Sequence, residues 1–469
     1  MTPSLVLVGA GSIAAAICFV VGLHLMRTPS SARRGNLISA AGMALVLIVI
    51  VLSAALTAGG SVIGWLALAV GVAIGATFGA IRSRGVKMTD VPQLVSIFNA
   101  VGGGAAAVIG FVDFLSIEHA TPVVSVFVVL DVLIGSVTFA GSLIAAGKLQ
   151  GIIPGRSLTF PGSRVLNFVV VVIALGAAVA TVVLPSSVLL LAIVTVAALA
   201  FGVLMVLPIG GADAPVVVSL LNAFTGLAVA MAGFVLDDQA MIIAGAIVGA
   251  AGTILTLQMA AAMNRSVVSI IIGGFGEGAK DAGPAAGGAT ANVRTVTADD
   301  IGIQLAYAQH VIFVPGYGLA AGQAQHEVAD LANILIAHGI DVKYAIHPVA
   351  GRMPGHMNVL LAEANVPYDQ MLQLEDANAA FANCDVAVVI GANDVTNPAA
   401  RRPGNPVSGM PILNVDEAKS VVVIKRTMSP GYAGIANDLF ENPKTGMFFA
   451  DAKKGLVEII AAVKEYANA

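Results

Sequence analysis

Nine stretches of about twenty apolar residues, at 4–25, 37–58, 61–81, 92–112, 124–147, 165–184, 186–207, 214–235 and 239–263, decide what this chain can become. A bilayer core about 30 Å thick takes a helix of about 20 residues. In lipid every peptide N–H and C=O must be bonded inside its own segment, so each stretch predicts a membrane-crossing helix. The first stretch is too long, and too lacking in a basic flank, to read as a cleaved signal peptide. Charge divides the chain in the same place. Residues 1–264 hold nine Lys or Arg and seven Asp or Glu, and residues 265–469 hold fourteen and twenty. A membrane half of net +2 thus precedes an acidic soluble half of net −6. Only 11% of all residues are charged and 58% are hydrophobic, which excludes a disordered or nucleic-acid-binding protein. Cys18 and Cys384, far apart, exclude a disulfide scaffold.

The basic residues orient the bundle. Arg27, Arg33 and Arg34 follow the first span, Arg82, Arg84 and Lys87 the third, Lys148, Arg156 and Arg164 the fifth, and Arg265 the ninth. The alternate loops carry only Asp113, Glu118, Asp237 and Asp238. Positive charge stays inside, which predicts an external N-terminus and a cytoplasmic C-terminal domain. Glycines at helix-packing spacing (Gly71, Gly75 and Gly79; Gly245 and Gly249; Gly102 to Gly104) predict close helix contacts. Polar residues inside the spans are few: Asn99, Asp131 and Asn222, with Asp213 at the entrance to the eighth. Such residues either bond a neighbouring helix or line an ion or proton path.

After Arg265 the chain runs through Gly273-Gly274-Phe275-Gly276 and an Ala/Gly-rich stretch to 293, the composition of a flexible tether. This sets three regions: a membrane domain at 1–271, a linker at 272–293 and a soluble domain at 294–469. In the last, apolar runs at 310–315, 342–347, 386–391, 411–415 and 420–425 alternate with helical segments, which predicts a doubly wound parallel α/β sheet. The first strand runs into Gly316-Tyr317-Gly318-Leu319-Ala320-Ala321, a G-x-G-x-x-A turn ending in Ala321 that lets a pyrophosphate approach backbone closely, as in Rossmann-like domains. The second strand ends in His347-Pro348-Val349-Ala350-Gly351-Arg352, without the carboxylate that holds an NAD ribose. The strand at 420–424 ends in the basic pair Lys425-Arg426, which suits a 2′-phosphate and so favours NADP(H). Gly391-Ala392-Asn393-Asp394 follows another strand, and Asp394 is expected to face the cofactor.

Together these residues resemble the β subunit of the proton-translocating NAD(P) transhydrogenases. The stretch from Ile346 to Glu363, containing His347-Pro348-Val349-Ala350-Gly351-Arg352-Met353-Pro354-Gly355-His356, carries the likeness. So do Pro315-Gly316-Tyr317-Gly318, Gly391 to Asp394, and Lys425-Arg426 with Gly431-Tyr432-Ala433-Gly434. In the membrane half it rests on Gly210-Gly211-Ala212-Asp213, Ser219-Leu220-Leu221-Asn222 and Met263-Asn264-Arg265-Ser266.

The resemblance implies an NADP(H)-binding domain, with the nucleotide reversed relative to ordinary Rossmann enzymes. Val349, Ala350, Gly351, Arg352, Met353 and Pro354 would contact the pyrophosphate, and Lys425 and Arg426 the 2′-phosphate. Gly431 and Tyr432 would belong to a lid, Tyr317 would line the site, and Asp451 and Ala452 would lie at its edge. Asp394, near the nicotinamide ribose, is the catalytic candidate. NAD(H) would bind an α subunit that brings further membrane helices, in a hetero-oligomer built as a dimer of αβ units. A bacterial inner membrane is the expected location, with lipid but no nucleic acid as a partner. The proton path would pass Asn99 and Asn222 toward Asp213, with Arg265 at the hinge. Some members carry a histidine where this chain has Asn99, which cannot titrate; members with Asn there place the histidine on a partner helix. Two other readings fit the two-part layout. One is a channel or transporter gated by a nucleotide-sensing domain, but no Thr-Val-Gly-Tyr-Gly filter occurs. The other is a membrane-anchored NADP dehydrogenase feeding quinone, for which two isolated cysteines supply no cluster.

Overall fold

The computed structural model describes residues 3–57, 61–116, 121–155, 157–184, 187–210, 213–273, 293–353, 355–405, 407–431 and 433–467. Glu118, Arg156, Gly211, Ala212, Pro354, Tyr432 and nearly all of the expected tether lie outside them.

Among the described residues, nine helices are long and apolar enough to cross a membrane: α1 (Pro3–Leu25), α2 (Pro29–Thr57), α3 (Val62–Gly85), α4 (Val91–Ser116), α5 (Pro122–Leu149), α6 (Ser163–Val183), α7 (Val188–Val206), α8 (Ala214–Leu236) and α9 (Gln239–Ala262). Several begin on a residue that satisfies the otherwise orphaned first N–H groups. Thr121 accepts from Val124 N, Ser187 from Leu190 N and Asp238 from Met241 N. The helices also run past the apolar stretches. Arg33 and Arg34, expected in a loop, sit at the start of α2, and Arg82 and Arg84 in the last turn of α3. Long basic side chains at a helix end reach the interface, so the backbone can stay helical.

The bundle core is α4, α5, α7 and α8. Small residues let these helices approach. A Cβ on Gly202 of α7 would lie 2.4 Å from Val137 O of α5, and one on Gly226 of α8 2.4 Å from Gly249 N of α9. Gly103 of α4 likewise rests on Thr138 of α5, where a Cβ would come within 2.7 Å. The expectation fails for Gly71, Gly75 and Gly79. Nothing lies within 4 Å of their Cβ positions, and α3 has no buried residue.

A short helix α10 (Val267–Gly273) follows α9. The soluble domain then contains α11 (Ala298–Ala306), β1 (His310–Pro315), α12 (Tyr317–Gly322), α13 (Gln325–Ala337), β2 (Asp341–Ala345), α14 (His356–Glu363), β3 (Met371–Leu372), α15 (Leu374–Phe381), β4 (Val386–Ile390), β5 (Ser420–Lys425), β6 (Thr445–Phe449) and α16 (Ala452–Ala467). All the strands are parallel, in the order β3-β2-β1-β4-β5-β6. Alternating residues feed two cores. Val311, Phe313, Val388, Val422 and Ile424 face α11, α13 and α16, while Ile312, Val314, Val389 and Val423 face α15 and the 413–418 segment. Asp385 closes the far end of the sheet, its Oδ2 accepting from Gln309 N and His310 N at 2.9 Å. The bond from Lys419, with those amides, holds its carboxyl down at about 2.

One expected strand is absent. Residues 411–414 join no ladder and Val415 opens a 3₁₀ turn (Val415–Glu417); Pro411 has no N–H, and the carbonyls turn to side chains. Pro411 O bonds His347 Nε2 at 2.8 Å and Ile412 O bonds Asn378 Nδ2 at 2.9 Å. Two strands escaped the sequence: β3 is only two residues long, and β6 opens on Thr445-Gly446, a poor strand signal.

Candidate functional site

The strand order reverses direction between β1 and β4, and in such sheets ligands bind beyond the carboxyl ends of the strands at that point. A cavity of about 460 Å³ opens there. Its floor is two glycine turns pressed together. Gly316 N donates to Ile390 O and Gly318 N to Gly391 O, both at 2.9 Å. A Cβ on Gly316 would sit 2.4 Å from Ala392 Cα, and one on Gly391 2.3 Å from Gly318 Cα. Gly391 also has φ of +65°, where a side chain is strained. The glycines keep open a cradle that any side chain would fill.

Tyr317 and Ala321 line the cavity from the first turn, Val349, Ala350 and Gly351 from the loop after β2, and Ala392, Asn393 and Asp394 from the turn after β4. Lys425, Arg426 and Gly431 also line it, as do Asp451 and Ala452 just after the neighbouring strand β6. Burial lowers the Lys425 ammonium against the pull of Asp394 the other way. Asp394 Oδ2 accepts from Ala433 N at 3.0 Å, and its carboxyl lies against Gly431, where a Cβ would be 2.5 Å from Oδ1. The segment after Lys425 is thereby tied across the mouth. Thr427, Ser429 and Pro430 also line it and were not singled out in the sequence, where nothing separates them from ordinary loop residues.

Arg352 lies elsewhere. Its guanidinium stacks on the Tyr317 ring, 4.4 Å from the centroid, while Nη1 donates to Leu149 O at the end of α5 at 3.4 Å. It lines a second cavity of about 570 Å³ between the loop after β2 and the ends of α3, α4 and α5. Met353 is half-buried beside it. Two histidines that sequence reasoning passed over shape this loop. His347 Nε2 bonds Pro411 O, and Nδ1 accepts from Val349 N at 3.2 Å. His356 Nδ1 accepts from Arg352 N at 3.0 Å, packed against Gly351 at φ +105°. Burial pushes both imidazoles down to about 4, with Arg352 adding to the effect at His356. Both are therefore neutral acceptors of backbone N–H groups.

In the membrane half, Asn99 is buried; Nδ2 donates to Val218 O of α8, and Thr225 Oγ1 donates to Asn99 O, both at 3.3 Å. Asn222 is half-buried on the α8 face shared by Val218 and Thr225. Arg265 Nη1 lies 2.8 Å from both Asp213 oxygens. Burial raises the Asp213 carboxyl above the usual carboxylate range, even against the pull of Arg265. Next to this pair Asn264 Nδ2 donates to Ser408 O of the soluble domain at 3.3 Å.

A membrane bundle carrying a parallel α/β domain, with a glycine-floored, basic-walled cavity at the switch point, defines a multi-span membrane protein with a Rossmann-like domain. Comparison with known proteins narrows this. Residues 8–462 match the family described as NAD(P) transhydrogenase beta subunit. The chain is 44% identical to the NAD(P) transhydrogenase subunit beta of Rhodospirillum rubrum over 477 aligned residues, covering 99% of this chain and all of that one. A second sequence of that subunit, from a named strain of the same organism, matches equally. The chain belongs to the NAD(P) transhydrogenase beta subunit family.

Proposed function

We propose that this chain binds NADP(H) in the switch-point cavity, exchanges hydride there with NADH held on an α subunit, and couples the exchange to proton movement through the bundle. The observation that carries the nucleotide assignment is the pairing of the Gly316–Gly318 and Gly391 cradle with Lys425 and Arg426 on one wall, while no carboxylate ends β2. A backbone cradle suits a pyrophosphate, and a basic pair suits a 2′-phosphate.

The bound nicotinamide supplies the hydride chemistry. The chain's residues position it and exclude water. Asp394 holds the segment at Gly431 and Ala433 and would thereby position the nicotinamide end, which is the sense in which it is the catalytic candidate. Val349 to Gly351, which line the cavity in a loop folded around neutral His347 and His356, would hold a pyrophosphate through backbone. Arg352, one residue beyond Gly351 of the cavity wall, would hold a pyrophosphate only after leaving Leu149 O.

Driving force must come from the membrane. One proton falling through 100 mV yields about 2.3 kcal/mol. At about 1.4 kcal/mol per decade this is roughly a fifty-fold bias toward NADPH. Asp213 and Arg265, beside the Asn264–Ser408 contact, are placed to pass protonation to the nucleotide domain as a change in affinity. Lys148 and Arg265 lie at the end of the bundle that meets the nucleotide domain. This supports a cytoplasmic site and an external N-terminus in a bacterial inner membrane. The α subunit with its own membrane helices is expected to cover α3, whose glycine face has no neighbour among the described residues.

Titration of the purified full-length chain tests the nucleotide assignment. Lys425→Ala with Arg426→Ala should weaken NADPH at least tenfold and leave NADH binding nearly unchanged, since a charge-assisted bond contributes about 1.5–3 kcal/mol. Equal loss for both nucleotides would refute it.

A further inference from the structure

Half-buried Lys148, in the last turn of α5, reaches across to the connection between α7 and α8. Its Nζ donates to Leu207 O and, at 2.8 Å, to Ile209 O. Leu207 caps α7, and a lysine at a helix end satisfies carbonyls that have no partner within the helix. Capping alone would explain the bond, but not what it connects. The next residue, Leu149, accepts from Arg352 Nη1 of the nucleotide domain at 3.4 Å. We infer that this turn of α5 relays between the Asp213 loop and the nucleotide cavity, with Lys148 as a positioning residue for proton coupling; this rests on the function proposed above.

On the bundle side, Lys148 fixes the segment that leads to Asp213. Ile209 is buried in one core with Val216 and Val217 of the first turn of α8 and with Ile270 of α10. Asp213 N donates to Gly210 O at 3.2 Å, which closes the connection onto α8. Both Asp213 oxygens then hold Arg265, just ahead of α10. Close-packed interiors transmit displacement, so a shift at the Asp213–Arg265 pair moves Ile209 and the carbonyls that Lys148 grips. On the nucleotide side, the Arg352 guanidinium lies 4.4 Å from the centroid of the Tyr317 ring, and Tyr317 lines the nucleotide cavity. Arg352 itself lines the second cavity, so its engagement with Leu149 O and with a pyrophosphate exclude one another. Lys148 and Leu149 are consecutive in one helical turn, and rigid elements of this kind carry coupling between distant groups. When the Asp213 loop draws on Lys148, the acceptor at Leu149 shifts with it. The state in which Arg352 is released to the nucleotide then gains or loses weight. The Asn264–Ser408 contact involves neither residue, so a change at Lys148 leaves it in place.

The test uses the complete transhydrogenase complex in sealed vesicles. Lys148→Met keeps the apolar stem and removes the ammonium. It should lower the protons moved per hydride transferred by at least about fivefold, the lower end of coupling between sites, while NADPH binds within about twofold of the parent. Lys148→Arg should restore the ratio. Combined with Asp213→Asn, Lys148→Met should add nothing to the loss, whereas independent effects would multiply. Hydrogen exchange of the parent needs no variant: NADPH should slow exchange at 349–353 and speed it at 207–210, as Arg352 leaves Leu149 O. Full coupling in Lys148→Met, multiplied losses in the double variant, or unchanged exchange at 207–210 would each overturn the inference. A parent complex that moves no protons would refute the proposed function, and the inference with it.

Discussion

Gly391 carries more of this site than any charged residue. It stands at φ +65° with its α-carbon against Gly318, so a methyl group meets both backbone strain and a clash of the two turns. Strain of this kind costs about 1–3 kcal/mol even before the clash. Gly391→Ala should therefore weaken NADPH binding by tenfold or more and lower the thermal stability of the nucleotide domain; equilibrium titration and a melting curve check both. The sequence marked Gly316, Gly318 and Gly391 as turn residues, because only glycine explains them at those spacings. It left His347 and His356 unremarked, since an imidazole that accepts a backbone N–H looks like any other histidine until its burial is known. The sequence proposed Arg352 for a phosphate, but it could not record that its side chain rests on Leu149 of the membrane bundle. That contact joins residues 203 apart.

The elements most legible were the long ones. A run of twenty apolar residues has one solution in lipid, and all nine helices were visible for that reason. Strands β1, β4 and β5, buried on both faces, stood out as continuous apolar runs. The 411–415 run failed because burial there is satisfied by Asn378 and His347 rather than by a ladder. The loop from His347 to His356 is the element most exposed to acid. Both imidazoles titrate near 4 in the fold, against an ordinary value of about 6.5. Above about 6.5 they are neutral in both states and their contribution is fully present; it is lost as pH falls from there toward 4. Residues 293–469, with a core on each side of their sheet, should fold alone and melt several degrees lower at pH 5 than at pH 7. His347→Gln, which can still bond Pro411 O, should flatten that dependence. An unchanged melting temperature across this range would contradict the assignment.

At the scale of the whole molecule, the two halves meet through few groups. Arg352 touches Leu149, Asn264 touches Ser408, and beside the second contact Arg265 grips a buried Asp213. Polar contacts between a bundle and a separately cored domain are suited to relative motion. Asp213→Asn removes one charge of the pair. It should uncouple the complex, leaving NADPH binding to the nucleotide domain intact while translocation falls by at least tenfold. Translocation assayed in vesicles beside nucleotide titration distinguishes this from a loss of folding.

The amino-acid sequence by itself determined the division of the molecule, the number of spans, the parallel domain and the glycine and basic residues of its cavity. It could do so because lipid insolubility, strand periodicity and backbone freedom are local properties, written in consecutive residues. Tertiary structure alone decided which helices touch, that α3 buries no residue among those described, that Asp131 packs against Gly110, and that Arg352 spans from one half to the other. Each of these depends on residues distant in the chain meeting in space, and no local pattern records such a meeting.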